Sequence, residues 1–191
     1  MTNLSIIGTG NMSQAIASIA AKGGHSVQQL GQGDLGTAIT GDVVVLAVPY
    51  PAVADVIAKR GAQLAGKVVV DITNPLDFET FDSLVVPADG SAAAEIAAAL
   101  PDSTVLKAFN TNFAGTLAAG SVGALATTVL IAGDDADAKS TLADVVTSGG
   151  VKAIDAGSLA RARELEAVGF LQLTLAANEK VSWTGGFGVA A

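Results

Sequence analysis

The sequence predicts an α/β fold: a doubly wound, mostly parallel sheet with helices on both faces. Three observations lead to it. Short β-branched runs alternate with alanine-rich stretches along the chain. Half of the 191 residues are apolar and only 15% are charged, as suits strands covered on both faces. The first apolar run turns on glycine and leads into a helical pattern, "IIGTGNMSQAIA" at residues 6 to 17.

Taken in order, the strands expected are LSIIG, HSVQQL, DVVVLAV, KVVVDI, STVLKAF, TTVLIAG and VKAID. Helices are expected near residues 11 to 22, 51 to 64, 91 to 100, 112 to 119, 135 to 147 and 159 to 180. Between Gly31 and Gly41 the eleven residues are too few for a regular crossover helix and strand. Extended, they reach roughly 36 Å, enough to return across the sheet as an abbreviated crossover. No Pro- or Ser-rich linker and no repeat interrupts the pattern. A single domain over residues 1 to 191 is therefore expected, ending in the last helix and the glycine-containing tail "WTGGFG".

Composition narrows the function. The formal charge of -8 argues against nucleic acid, whose affinity rests on Lys and Arg. Without cysteine, thiol catalysis, disulfides and thiolate metal sites are excluded, and one histidine cannot build a zinc site. No metal is expected. The N-terminus Met-Thr-Asn-Leu-Ser has no basic stretch before its apolar run, so a cytoplasmic location is the expectation. Residues 108 to 133 carry no charge, but Gly, Ser, Thr and Asn break them and their end reads as a strand, so no membrane partner is expected.

The glycine turn carries the chemistry. In a strand-turn-helix unit of the Rossmann-like, dinucleotide-binding kind, Gly8 allows the tight turn and Gly10 lets the backbone approach a pyrophosphate. The helix from Asn11 points its free N–H groups and positive dipole end at that anion. Ser13 stands where the fingerprint has its third glycine, a position whose role is close packing, and a small hydroxyl side chain costs little there. The acid that usually binds the ribose 2′-OH of NAD is missing from the end of the second strand, Gln28-Gln29-Leu30-Gly31-Gln32-Gly33, until Asp34. No arginine or lysine lies between Lys22 and Lys59 to pair with the 2′-phosphate of NADP. Both cofactors stay open on this reading.

Six ordered blocks, "IIGTGNMSQAIA", "VVVLAVPYPAV", "KVVVDITNPLDF", "VLKAFNT", "VLIAGDD" and "DAGSLARARELE", resemble the deazaflavin (coenzyme F420)-dependent NADP oxidoreductase family along nearly the whole chain. Members carry a hydride between NADP(H) and a deazaflavin, and a related domain occurs in metalloreductases that pass NADPH electrons to a flavin. The resemblance implies that Thr9, Gly10, Asn11 and Met12 line the pyrophosphate. It further implies that Ala47, Val48, Pro49 and Tyr50, with Thr73, Asn74 and Pro75, flank the nicotinamide. Gln32 and Gly33 occupy the places where the family has a serine and a basic residue, which puts NADP selectivity in question.

The remaining candidates have physical readings of their own. Val48-Pro49-Tyr50, Thr73-Asn74-Pro75 and Phe109-Asn110-Thr111 fall at carboxyl tips of strands, where ligands of such sheets bind. Tyr50 reads equally as a helix-start packing residue and as a ring-stacking or hydrogen-bonding one. Asn74 and Asn110 read as turn formers. Lys107 reads as a solvated or snorkelling lysine, with proton donation as the alternative. His25 is expected to cap a helix end, and Asp134 and Asp135 to cap and begin one. Arg161 with Glu164, and Arg163 with Glu166, are expected to form surface ion pairs.

In the last helix Leu165, Val168, Leu171 and Leu175 form one apolar stripe, and Phe170, Leu173 and Ala177 a second. One stripe covers the sheet; the other predicts a homodimer through this helix. Trp183 and its tail either close over a neighbouring cleft or simply pack.

Hydride transfer between flat rings depends on positioning more than on side-chain acids, which suits a chain with one His, one Tyr and no Cys. The expected function is therefore an NAD(P)H-dependent oxidoreductase passing hydride to a deazaflavin or flavin-type small molecule. Reduction of a small carbonyl or imine, with Tyr50 or Lys107 as catalytic acid, and a non-enzymatic nicotinamide sensor are the alternatives. Dehydrogenases of 3-hydroxy acids and of pyrroline carboxylate add a large helical domain, whereas only about 35 residues follow the last strand here.

Overall fold

A computed structural model describes residues 1–190; Ala191, the end of the predicted tail, lies outside them. The elements, in chain order, are β1 (Asn3–Ile7), α1 (Asn11–Lys22), β2 (Ser26–Leu30), β3 (Val43–Leu46), α2 (Val53–Leu64), β4 (Val68–Asp71), α3 (Ala92–Ala99) and β5 (Thr104–Lys107). There follow α4 (Ala114–Ala119), β6 (Ser121–Val122), β7 (Leu125–Ala126), β8 (Thr128–Ala132), α5 (Ala136–Ser148), β9 (Lys152–Gly157) and α6 (Ala162–Ala177).

Seven strands form one sheet in the order β2-β1-β3-β4-β5-β8-β9. The first five are parallel, β8 joins β5 antiparallel at Lys107 opposite Ala132, and β9 runs parallel to β8. All seven predicted strands and all six predicted helices are present, within a few residues of their expected bounds. The small β6-β7 hairpin was not foreseen. The uncharged stretch divides among α4, this hairpin and β8. Among the described residues no helix is long and apolar enough to cross a membrane.

Alternation along the strands divides the core into two layers. Leu4, Ile6, Val43, Val45, Val70 and Leu106 pack with Ile16, Ile19, Leu117, Leu142 and Val145 under α1, α4 and α5. Ile7, Val44, Leu46, Val69 and Val105 face the other way, onto Val53, Leu64, Ile96 and Leu100 of α2 and α3. Each such side chain contributes about 1.5–3 kcal/mol on full burial.

The abbreviated crossover after β2 has only a turn of 3₁₀ helix at Gln32–Asp34, and side chains replace the missing helix. Gln28 donates to the Ala38 carbonyl at 2.9 Å and accepts from the Thr40 N–H at 3.1 Å. Gln63 of α2 accepts from the Ile39 N–H at 2.9 Å, and Arg60 donates to the carbonyls of Asp34 and Thr37. The return therefore lies against α2, which becomes one wall of the site.

Candidate functional site

The two glycines of the first turn have different roles. Gly8 sits at φ +124°, a conformation that strains any L side chain, and a Cβ there would collide with the carbonyl of Ala47. Close passage of the first turn past the β3 tip therefore requires glycine. Gly10 is extended, with φ -76° and ψ -176°, and no atom lies within 4 Å of the place its Cβ would take. That space opens in front of α1, whose first turn has no capping side chain and no acid. The N–H groups of Asn11, Met12 and Ser13 have no acceptor within the helix. Free donors, a positive dipole end and an open cradle fit a diphosphate.

Ser13 does more than take little space. It is fully buried, its hydroxyl donates to the Gly8 carbonyl at 2.7 Å, and it accepts from the Gln29 amide of β2 at 2.8 Å. The residue in place of the third glycine thus ties the turn to its helix and to the neighbouring strand.

A cleft of about 610 Å³ opens at this turn, of a size suited to a nucleotide. Of the residues predicted to bind cofactor, Gly8, Thr9, Gly10, Gln32, Ala47, Val48 and Pro49 line it together. Asn11 and Met12 continue from it along α1, and Gly33 lies in the adjoining 3₁₀ turn. Asp55, Val56, Lys59 and Arg60 of α2 complete the wall. Sequence reading missed these four because their spacing marks only a helix.

Tyr50 turns out of this cleft. It lines a separate cavity of about 500 Å³ between α2 and α3, and its hydroxyl donates to Glu95. Burial, and then the Glu95 carboxylate beside it, raise its pKa well above the phenol's ordinary value, so it is a poor proton donor. Thr73, Asn74 and Pro75 follow β4 but do not line the cleft.

Lys107 corrects the expectation of a solvated lysine. It has no exposed surface, and its ammonium contacts Asp71 at 2.7 Å, Glu166 at 2.8 Å and the Thr73 carbonyl at 2.6 Å. Asp71 also accepts from the Thr73 N–H at 2.8 Å, and Glu166 accepts from the N–H groups of Ala92 and Ala93 at the start of α3. Two carboxylates share one cation, and desolvation holds Glu166 above the usual carboxylate range against the pull of Lys107. The cluster joins the tips of β4 and β5 to α3 and α6. The expected Arg163–Glu166 surface pair is consequently absent: Arg163 pairs instead with Glu164 at 2.8 Å, and Arg161 reaches Glu164 at 3.6 Å.

The asparagines form a bridge between strand tips. Asn110 donates to the Asn74 side chain at 2.9 Å and to the Leu165 carbonyl at 2.8 Å, while Asn74 donates to the Asn110 carbonyl at 2.9 Å. Phe109, between them and β5, is buried in a left-handed conformation at φ +61°, a strained place for a large side chain. A Cβ on Gly169 would strike Asn74, so α6 can dock on this bridge only at glycine.

That docking corrects the reading of the last helix. Its buried face is Ala162, Leu165, Glu166, Gly169, Gln172 and Ala176, not a leucine-valine stripe, because it packs on polar strand tips that need small residues and hydrogen-bond partners. Val168 and Leu171 are exposed, at 38% and 50%. Trp183 packs against Phe113 with ring centroids 5.0 Å apart and planes tilted by 56°, so the tail packs on its own chain.

His25 does not cap a helix end with its ring: it accepts from the Thr2 N–H at 3.0 Å and meets the Ser148 hydroxyl at 2.9 Å, tying the chain's start to α5. Asp135 caps α5 as expected, whereas Asp134 lies before the cap and accepts from the Leu159 N–H at 3.0 Å.

A family model described as "NADP oxidoreductase coenzyme F420-dependent" matches residues 30–75, from the β2 tip through α2 to Pro75. The F420-dependent NADP reductase of Methanocaldococcus jannaschii is 34% identical over 149 residues, 76% of this chain and 66% of that protein. Metalloreductase STEAP3 of Rattus norvegicus is 41% identical over 106 residues, 56% of this chain and 20% of that protein. The chain thus spans just under two thirds of the first relative and a fifth of the second. A solved structure from Arthrobacter sp. FB24, provisionally described as an F420-dependent NADP-reductase, superposes with a TM-score of 0.83 over 100% of both chains at 24% identity, which establishes the shared fold.

Proposed function

The chain belongs to the coenzyme F420-dependent NADP oxidoreductase family, and from that premise we propose that it carries a hydride between NADP(H) and a deazaflavin or flavin-type acceptor. The observation that carries the proposal is the division of labour around the cleft. Gly8, Gly10 and the first turn of α1 offer amides and open space to a diphosphate, whereas both candidate proton donors are tied up in contacts of the fold. Tyr50 is engaged with Glu95, and Lys107 is enclosed by two carboxylates. Reduction of a carbonyl or imine calls for such a donor. Hydride exchange between two planar rings calls for alignment at about 3–3.5 Å.

A nicotinamide held here would supply the hydride chemistry. The chain's residues bind and orient. Amides of residues 11 to 13 hold the diphosphate, Ala47, Val48 and Pro49 form a wall with a restrained backbone, and the Lys107 cluster fixes the neighbouring tips. Thr73, Asn74 and Pro75 are assigned to the nicotinamide side, beyond the end of the cleft. We place the protein in the cytoplasm and assign it a homodimer through α6, supported by the exposed Val168 and Leu171.

The test is calorimetric titration with NADPH, followed by its oxidation with a deazaflavin, FMN and small carbonyls in parallel. Oxidation by the deazaflavin or FMN is expected. Oxidation by carbonyls alone would overturn the acceptor, and binding without oxidation would make the protein a nucleotide sensor.

A further inference from the structure

The cations of the cleft both come from α2. Lys59 and Arg60 line it together with Gly31 and Gln32 at the β2 tip. The return after β2 lacks a regular helix, and Arg60 holds it against α2 through the carbonyls of Asp34 and Thr37. Arg60 is only 3% exposed and is committed to that contact. Lys59 is different: its side chain is 48% exposed, and its partner is Asp55 on the next turn, itself 63% exposed, at 2.7 Å. Exposed pairs of this spacing are weak, so the ammonium can turn to a stronger anion. The lining holds two cations and one carboxylate, Asp55, and is net positive in a chain of net charge -8. The nearby Asp34 carboxylate is folded back on the Gly31 N–H at 2.8 Å.

We propose that Lys59 reads the 2′-phosphate of NADP(H) from α2, with the Gln32 amide facing it and Arg60 acting as a positioning residue that holds the rim. Charge recognition is thereby supplied by the helix after β3 and not by the loop after β2. The inference rests on dinucleotide binding in this cleft. Lys59 is a specificity-determining residue.

Calorimetry of the wild type, Lys59→Gln and Lys59→Arg with NADPH and NADH, at low and high salt, tests it. In Lys59→Gln the Kd for NADPH should rise about tenfold while that for NADH stays unchanged. The steeper salt dependence of NADPH should fall to that of NADH, and Lys59→Arg should keep the preference. Equal weakening of both nucleotides, or an unchanged Kd for NADPH, would overturn the assignment. Tighter binding of NADH than NADPH by the wild type would overturn it in favour of Asp34 as a ribose partner. If the wild type bound neither nucleotide, the cleft itself would be misread and the inference would fall with it.

Discussion

The ammonium of Lys107 on β5 lies 2.7 Å from the Asp71 carboxylate on β4, and neither side chain has any exposed surface. Glu166 completes the cluster from α6. Removing the cation leaves two buried carboxylates facing each other. Lys107→Met should destabilise the protein by about 3–5 kcal/mol, measured by urea unfolding. A loss below about 1 kcal/mol would show that the cluster is not a structural clamp.

Glu166 gives the cluster a pH signature. Burial raises its pKa in the folded protein above the unfolded value, so the native state holds the proton more tightly. Its contribution is fully present below the unfolded pKa and is lost as pH rises through the folded one. The slope is at most about 1.4 kcal/mol per pH unit. Unfolding measured across a pH series should show this decline in the wild type and not in Glu166→Gln. Parallel curves for the two proteins would remove Glu166 from the account.

Ser13 supplies a hydroxyl that bonds both Gly8 and Gln29. Ser13→Ala removes both bonds, the one to the Gly8 carbonyl and the one from the exposed Gln29 amide, and should cost about 0.5–1.5 kcal/mol in chemical denaturation. An unchanged midpoint would mean that the position asks only for small size.

The exposed Leu171 should lie in the proposed interface of two copies. Sedimentation at micromolar concentration should give a dimer for the wild type and a monomer for Leu171→Lys, whose own fold has no need of that side chain. A monomeric wild type would contradict the homodimer.

These relationships also mark how far the sequence could be read. Strands and helices were legible because runs such as Val43 to Leu46 are β-branched or aliphatic and continuous, and because glycine punctuates their ends. The glycine turn was legible because its partners are neighbours in sequence. The Lys107 cluster was not: Asp71, Lys107 and Glu166 meet only through the packing of β4, β5 and α6. The same holds for Lys59 and Arg60, which reach the cleft only through the packing of α2 beside the β2 tip. The buried face of α6 escaped a hydrophobicity pattern because it is made of Ala162, Gly169 and Gln172, chosen for fit and hydrogen bonding against polar tips. The β6-β7 hairpin, with two residues in each strand, is too short to show a period.

The most direct test of the central claim, that the amides of the first turn of α1 hold a diphosphate, is NADPH titration of Gly10→Ala by calorimetry. Nothing lies within 4 Å of the added methyl, and the backbone at φ -76° accepts alanine, so the fold should lose about 1 kcal/mol or less. The methyl would occupy the space assigned to the phosphates, and the Kd should rise at least about tenfold. A stable Gly10→Ala protein that bound NADPH as tightly as the wild type would contradict the account.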